Sequence, residues 1–259
     1  MRDITLVTGA SGGIGADLAR VFARNGHDLA LMARSGSKLE ALADEIAASG
    51  RPRPLVIVQD LIERDAVEQT AGALAQAGAR VTILVNNAGY GMAGVVRKQE
   101  PSELMGMVDL NIRALLDLTL RFLPDIIATK GKILNVASIA SYFPGPGMAV
   151  YYASKSFVSS FSRALNQELK AAGVTVTVLN PGVIATGFQE RAGFHKIKEL
   201  SKMKGASALP VAEAGYKALI AGKRVVVPGL DNKLATLIVP LVPDALLLPL
   251  VARFQGGRH

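Results

Sequence analysis

The stretch that decides the fold is Thr8-Gly9-Ala10-Ser11-Gly12-Gly13-Ile14-Gly15, which follows an apolar run at Ile4–Thr8 and opens a helical pattern at Ile14–Asn25. Its glycines permit a tight turn and let a ligand approach the backbone closely, and the first turn of the next helix supplies free N–H groups that attract anions. An ordinary β–α turn has the same form. The position of the loop, between the first strand and the first helix, favours a cradle for the phosphates of a dinucleotide.

Beyond this loop, short β-rich runs alternate with longer amphipathic stretches. The β-rich runs are mostly continuous in apolar residues, as expected of strands covered on both faces. We therefore predict an α/β fold, with a Rossmann-like, doubly wound, mostly parallel seven-stranded sheet and helices on both of its faces. The predicted strands are Ile4–Thr8, Asp28–Met32, Leu55–Val58, Thr82–Asn86, Lys132–Val136, Thr175–Leu179 and Arg224–Val227. The predicted helices are Ile14–Asn25, Ser37–Ser49, Ala66–Ala77, Leu104–Ala128, Ala149–Ala172 and Ala212–Gly222.

Composition narrows the classes of function. The chain of 259 residues has no Cys, which excludes disulfides, thiolate metal sites and Cys nucleophiles. The net charge of +8 is compatible with nucleic-acid binding, but the basic residues are not interleaved with stacking aromatics and Trp is absent, so we expect no nucleic-acid partner. His27, His195 and His259 lack metal-ligand spacing, and we predict no metal. No signal peptide is visible, and a cytoplasmic location is expected.

The end of the second strand indicates which dinucleotide binds. Sites for NAD usually carry an acid at this point, which holds the ribose 2′-hydroxyl and would repel a 2′-phosphate. This chain has Ala33 followed by Arg34, whose planar cation suits a phosphate. A solvated surface arginine is the alternative. We predict NADP(H) as the cofactor, with NAD the less favoured choice.

A pair of residues with acid–base chemistry lies in the fifth predicted helix. Tyr151 and Lys155 are four residues apart and therefore share one helix face. A phenol has an ordinary pKa near 10, and a neighbouring ammonium group favours its ionised form. Tyr151 can then act as an acid in reduction or as a base in oxidation. Such a pair also occurs by chance, so the interpretation depends on its companions.

Those companions make the chain resemble the short-chain dehydrogenase/reductase family. The pattern Gly9-x-x-x-Gly13-x-Gly15 resembles its glycine motif, Asn86-Asn87-Ala88-Gly89 its NNAG motif, and Asn180–Thr186 its PGxxxT stretch. The resemblance implies that Ser138 polarises a substrate carbonyl, that Asn111 holds a water linked to Lys155, and that Lys155 lowers the pKa of Tyr151 and binds the nicotinamide ribose. The cofactor residues implied by the resemblance, together with Arg34, are Gly9, Ser11, Gly13, Ile14, Gly15, Asp60, Leu61, Asn87, Ala88, Gly89, Tyr151, Lys155, Pro181, Gly182, Val183, Ile184 and Thr186.

Two segments bear on the substrate. We predict that Gly187–Pro210, which mixes apolar residues with lysines, is a substrate lid, although a solvated basic segment is equally compatible. The very apolar stretch Asp231–Phe254 contains three prolines and is expected to form short helices rather than a membrane span. We expect an apolar or lipid-like carbonyl or alcohol substrate, bound with the help of Ile139, Tyr152, Phe188 and Phe194.

The organisation predicted is one catalytic domain at residues 1–230 with an apolar helical extension at 231–259. Members of the family are usually homodimers or homotetramers, which the resemblance implies here too. Peripheral contact with a membrane stays open for the extension. A non-catalytic NADP(H)-binding regulator or a lipid-associated protein on the same fold is the alternative function, and the presence of Asn111, Ser138, Tyr151 and Lys155 together disfavours it.

Overall fold

The computed structural model describes residues 1–193 and 205–255, without the side chain of Phe254. Seven strands form a single sheet in the order β3-β2-β1-β4-β5-β6-β7, and every adjacent pair is parallel. The predicted fold class is therefore confirmed. The strands are β1 Arg2–Thr8, β2 Leu29–Ala33, β3 Leu55–Val58, β4 Ala79–Asn86, β5 Lys132–Val136, β6 Thr175–Leu179 and β7 Val225–Val226.

Helices cover both faces of the sheet. They are α1 Gly13–Arg24, α2 Gly36–Ala48, α3 Ala66–Gln76, α4 Pro101–Val108, α5 Ala114–Ala128, α6 Ala149–Glu168, α7 Gly187–Arg191, α8 Ala208–Ile220, α9 Leu230–Ile238 and α10 Asp244–Phe254. Successive residues of β1 enter opposite cores, because strand side chains alternate between faces. Val7 packs in the core beneath α1, α2 and α8, whereas Leu6 packs in the core beneath α3 and α5.

The strand order places the carboxyl ends of β1 and β4 beside each other. From β1 the chain proceeds outward to β2 and β3, and it then returns to β4 on the other side of β1. At such a reversal the two outgoing loops diverge and leave a crevice, which is where open α/β sheets bind their ligands. The glycine-rich loop follows β1 and the Asn86–Gly89 segment follows β4, so both motifs lie at this crevice.

The predicted helix at Leu104–Ala128 is present, but it is not a regular α-helix throughout. The structure has α4, then a π-helical turn at Asp109–Arg113, then α5. A π turn inserts one extra residue into the helical ladder, and no local motif in the sequence marks the position of the insertion. The turn directs the buried side chain of Asn111 toward the loop that follows β4.

The two substrate segments also differ from expectation in their bounds. Within the predicted lid, α7 occupies Gly187–Arg191 and α8 already begins at Ala208, so the insertion ends earlier than Pro210. Residues 194–204, which include Phe194, lie outside the described residues. The apolar stretch after β7 forms α9 and α10, as expected. Within the described part of the chain, no helix is long and apolar enough to cross a membrane.

Candidate active site

A cavity of about 1080 Å³ opens at the carboxyl ends of the strands. All eighteen residues predicted for the cofactor line it, as do Ser138, Ile139, Tyr152 and Phe188. Asn111 lies beneath the cavity wall rather than on it. The volume reaches the upper end of the range for ligand pockets, as expected of a site that holds a dinucleotide and a substrate together.

The glycine-rich loop approaches the neighbouring backbone too closely for side chains. Gly9 and Gly13 have φ angles of +65° and +54°, a conformation that favours glycine. A Cβ added at Gly9 would lie 2.9 Å from the Cα of Ala88, and one added at Gly13 would lie 2.9 Å from Cγ2 of Thr186. A Cβ at Gly12 would meet nothing within 4 Å. The loop therefore exposes its backbone at the start of α1, and this arrangement fits the pyrophosphate of a dinucleotide.

Side chains of Thr8 and Asn87 join the loops after β1 and β4. The hydroxyl of Thr8 donates to the carbonyl of Val85 and accepts from the backbone N–H groups of Asn87 and Ala88, at 3.1, 3.0 and 3.1 Å. The amide of Asn87 donates back to the carbonyls of Thr8 and Gly9, at 2.9 and 3.2 Å. These bonds fix the spacing between the two loops, so the cradle is formed before a ligand binds.

Arg34, the residue that follows β2, is only weakly paired with an acid. Arg34 lines the cavity with 56% of its side chain exposed, and its Nη1 lies 3.5 Å from a carboxylate oxygen of Asp60. At that length and exposure the ion pair is weak, so the guanidinium remains available to an anion. The other carboxylate oxygen of Asp60 accepts the backbone N–H of Ile62. Arg191 of α7 also lines the cavity, with its guanidinium 4.1 Å from the ring centre of Tyr90.

Tyr151, Ser138 and Lys155 meet in the middle of the cavity. The hydroxyl of Ser138 lies close enough to that of Tyr151 to lower its pKa, and the ammonium of Lys155 lies 5.9 Å from the ring centre of Tyr151. Lys155 donates to the carbonyl of Val136 at the end of β5, at 2.9 Å. Ser138 follows the same strand and starts a short 3₁₀ turn, where its Oγ accepts from the N–H of Ala140. The predicted trio is thus held by the end of β5 and one face of α6.

The direction of the Tyr151 pKa shift differs from expectation. Burial raises the pKa of Tyr151 to about 12, and it outweighs the lowering by the hydrogen bond from Ser138. Burial also lowers the pKa of Lys155 to about 8. Desolvation therefore sets the direction of both shifts, and the lowering of the tyrosine pKa by Lys155 stays a prediction. Tyr151 is held as a neutral phenol, the form that donates a proton.

Asn111 supports the site from below. Its Oδ1 accepts the backbone N–H of Tyr90 at 3.0 Å, and its Nδ2 donates to the carbonyl of Tyr90 and to the hydroxyl of Ser154, at 2.9 and 3.0 Å. A Cβ on Gly89 would lie 2.9 Å from Oδ1 of Asn111 and 3.4 Å from the ammonium of Lys155. The π turn therefore ties the loop after β4 to α6. The role of Asn111 in holding a water stays a prediction.

Comparison with known proteins agrees with these motifs. The family model described as short chain dehydrogenase matches residues 3–196.

The chain belongs to the short-chain dehydrogenase family.

As a member of this family it is an oxidoreductase that acts on alcohol and carbonyl groups. It is 37% identical to a sulfoacetaldehyde reductase of Chromohalobacter salexigens over 81% of this chain and 83% of that protein. It is 35% identical to a serine 3-dehydrogenase of Agrobacterium fabrum over 73% of this chain and 74% of that protein. A short-chain dehydrogenase of Sphingobium yanoikuyae, solved in complex with NADPH, superposes with a TM-score of 0.81 at 29% identity and covers 95% of both chains.

The far end of the dehydrogenase cavity is apolar and comes from distant parts of the chain. Tyr152 packs edge-on against Phe143 with ring centres 5.5 Å apart, while Phe188 of α7 lies 5.4 Å from the ring of Tyr151. Leu247, Leu250 and Val251 of α10 complete this wall. Tyr152 and Phe188, predicted to contact substrate, therefore lie at this end.

One polar residue of this wall was missed by the sequence analysis. Gln255, 6% exposed, donates from Nε2 to the hydroxyl of Tyr152 at 2.5 Å, and its Oε1 is buried with no partner among the described residues. No motif surrounds it in the sequence, and its partner lies 103 residues away, so no local signal identifies it. Among the described residues, no cluster of three or more His, Asp or Glu side chains is arranged for a metal ion.

Proposed function

We propose that this dehydrogenase transfers a hydride between NADP(H) and a carbonyl or secondary alcohol of an apolar substrate, with Tyr151 exchanging the proton. The observation that carries the proposal is the convergence of Ser138, Tyr151 and Lys155 in the cavity that the glycine-rich loop also lines. A protein that only bound the nucleotide would have no need to bring these three groups together in one cavity. The regulatory alternative is therefore not favoured.

The cofactor proposal rests on the charge at the end of β2. Arg34 is available to a 2′-phosphate, and β2 ends in Ala33 rather than in an acid that would repel one. Ser11, Ser35 and Lys38 line the same part of the cavity and add donors. The glycine-rich loop would hold the pyrophosphate, and the segment Pro181–Thr186 would hold the nicotinamide. Bound NADPH supplies the hydride.

The protein's own groups would handle the proton and the oxygen of the substrate. In reduction, Tyr151 donates its phenolic proton to the oxygen as negative charge develops there, and its high pKa keeps that proton in place until then. The hydroxyl of Ser138 hydrogen-bonds the same oxygen and stabilises that charge. Lys155, anchored on the carbonyl of Val136, supplies a positive charge beside the phenol. Oxidation of an alcohol runs the same steps in reverse.

An apolar substrate is supported by the far wall of the cavity. Phe143, Met148, Leu247 and Val251 present hydrocarbon to the space beyond Tyr151. The described lining residues from α10 and the residue after it are uncharged; they are Leu247, Leu250, Val251 and Gln255. A substrate with a hydrocarbon body is better matched to this surface than a small anion is, since an unpaired charge is costly to bury there.

The test is a turnover screen of apolar ketones and the corresponding alcohols, run with NADPH and with NADH. We expect turnover with NADPH and a loss of about 10³-fold or more in kcat for Tyr151→Phe, because the proton donor is gone while the ring remains. NADPH binding, followed by its fluorescence, is expected to stay within about twofold of the wild type. Turnover that survives Tyr151→Phe would contradict the assignment of the proton donor.

We also propose the organisation that the sequence suggests, a catalytic domain at residues 1–230 with the extension at 231–259 packed on it. A homodimer or homotetramer that uses α4, α5 and α6 fits the exposed apolar residues on the first two of these helices, Met105, Leu120 and Ile127.

A further inference from the structure

α7, the first helix of the predicted lid, contacts the body of the protein at both of its ends. Thr186, which caps the helix, lies beside the glycine-rich loop, where a Cβ added at Gly13 would be 2.9 Å from Cγ2 of Thr186. After the other end, the carbonyl of Ala192 accepts the backbone N–H of Ala93 at 2.9 Å, and Ala192 is buried in the cluster that contains Tyr90. The side chains of α7 therefore have defined positions on the cavity wall.

Arg191 is the last residue of α7, and its side chain lines the cavity without an anionic partner. The guanidinium packs over the ring of Tyr90, 4.1 Å from the ring centre, and forms no ion pair or hydrogen bond with a described residue. The ring is itself held, because the hydroxyl of Tyr90 donates to the carbonyl of Glu103 at 2.9 Å. Packing on an aromatic ring leaves the N–H donors of an arginine available to another group.

Arg34 has a stronger effect on Arg191 than any other charged residue has. Partial burial lowers the pKa of Arg191, and the positive charge of Arg34 lowers it further. The individual effects of Tyr90, Glu103 and Asp60 are smaller and act in the opposite direction. Both arginines line the same cavity, and Arg34 is held only by its weak pair with Asp60. Two cations that repel each other in a cavity favour a ligand that brings negative charge between them.

We propose that Arg191 binds the 2′-phosphate of NADP(H) together with Arg34 and is therefore a second determinant of the cofactor preference. This inference rests on the proposed cofactor, and it adds a residue of the lid to the nucleotide-binding motifs. A phosphate monoester carries about two negative charges at neutral pH and has three acceptor oxygens, enough for two guanidiniums. NAD(H) lacks this group, so it would leave the two cations unpaired and repelling each other.

The 2′-phosphate also joins separate parts of the chain in this arrangement. Arg34 follows β2, in the first half of the sheet, whereas Arg191 belongs to the segment that follows β6. A ligand bound by both side chains would hold the end of α7 against the nucleotide-binding loops. The lid would then respond to which cofactor is present, and not only to the substrate.

The experiment measures the Kd of NADPH and of NADH by fluorescence titration of the full chain. We expect Arg191→Gln to bind NADPH about tenfold or more weakly, because a charge-assisted contact is lost, and to bind NADH within about twofold of the wild type. Adenosine 2′,5′-bisphosphate, titrated by calorimetry, is expected to weaken by a similar factor, since it carries the 2′-phosphate without the nicotinamide. Arg191→Lys keeps the charge but not the planar donors and is expected to lose only about threefold.

A matched control makes the same chemical change outside the cavity. Arg97 is exposed and does not line the cavity, so Arg97→Gln is expected to bind NADPH within about twofold of the wild type. The inference is overturned if Arg191→Gln binds NADPH normally, or if it weakens NADPH and NADH equally, which would place the arginine on the pyrophosphate. A wild type that does not prefer NADPH to NADH would contradict the proposed cofactor as well. A wild type that prefers NADPH, with a variant that keeps the preference, would contradict the role of Arg191 alone.

Discussion

The two ends of the cavity are built differently. At the cofactor end, the loops after β1 and β4 are joined by hydrogen bonds from Thr8 and Asn87, and glycines remove the side chains that would separate them. At the substrate end, α10 meets the body through apolar side chains and the hydrogen bond between Gln255 and Tyr152. The first end is specified by backbone geometry that few sequences satisfy. The second is specified by apolar surface, which many sequences supply. Substitutions in this wall can therefore change the substrate specificity without altering the cofactor site.

The largest effect is expected at the cofactor end, where each of two adjacent glycines can be replaced by alanine in a separate variant. Gly13→Ala places a Cβ against Thr186 and forces alanine into a left-handed conformation, which costs about 1–2 kcal/mol. We expect NADPH to bind about 5- to 30-fold more weakly, as measured by fluorescence titration. Gly12→Ala is the matched control, because a Cβ there meets nothing within 4 Å, and it is expected to bind NADPH normally. Equal effects of the two substitutions would show that the cradle does not depend on close approach.

A pH profile tests the buried groups that lie between the two ends. Lys155, with a pKa of about 8, is charged below that pH and neutral above it, whereas Tyr151 keeps its proton up to about 12. We therefore expect kcat/KM for reduction to be level below pH 8 and to fall by about tenfold per pH unit well above it. In Lys155→Arg the guanidinium stays charged, so the residual activity is expected to lose this decline. A wild-type profile that is level to pH 10 would contradict the role given to Lys155.

The smallest expected effect is at the substrate end. Gln255→Leu removes the hydrogen bond to Tyr152, which lies at the partly exposed end of the cavity, and a buried amide oxygen that has no partner among the described residues, and it leaves an apolar surface. The KM for an apolar ketone is therefore expected to fall by about threefold. The Kd of NADPH is expected to stay within about twofold, because the cofactor end is built separately. Gln167→Leu, on the exposed side of α6, serves as the control. A change in NADPH binding with no change in KM would mean that the two ends are not independent.

The same contrast explains which features of the site can be predicted from the sequence. Gly9, Gly13, Gly15, Tyr151 and Lys155 act through short spacings along the chain, and their placement in one cavity is what the motifs indicate. The parallel sheet is predictable because its buried strands are short, continuous apolar runs. These features depend on residues that are close together in the chain, so short sequence patterns are enough to predict them.

The features that the sequence does not show depend on contacts between distant residues. The π turn at Asp109–Arg113 is not marked by a local motif, and its consequence appears in the bonds between Asn111 and Tyr90. Gln255 joins the cavity wall through its hydrogen bond to Tyr152, which is distant in the sequence. The direction of the Tyr151 pKa shift follows from complete burial, which is a property of the packed cavity and not of the spacing to Lys155.

The hydroxyl of Thr8 has a consequence for how the molecule opens. Because it accepts the N–H groups of both Asn87 and Ala88, these two loop amides are secured to the end of β1. Releasing either proton to solvent requires the buried Thr8 hydroxyl to give up these bonds. Hydrogen exchange at these two amides is therefore expected to be slow for amides that lie outside a strand or helix, and it reports on the joint between β1 and the segment after β4.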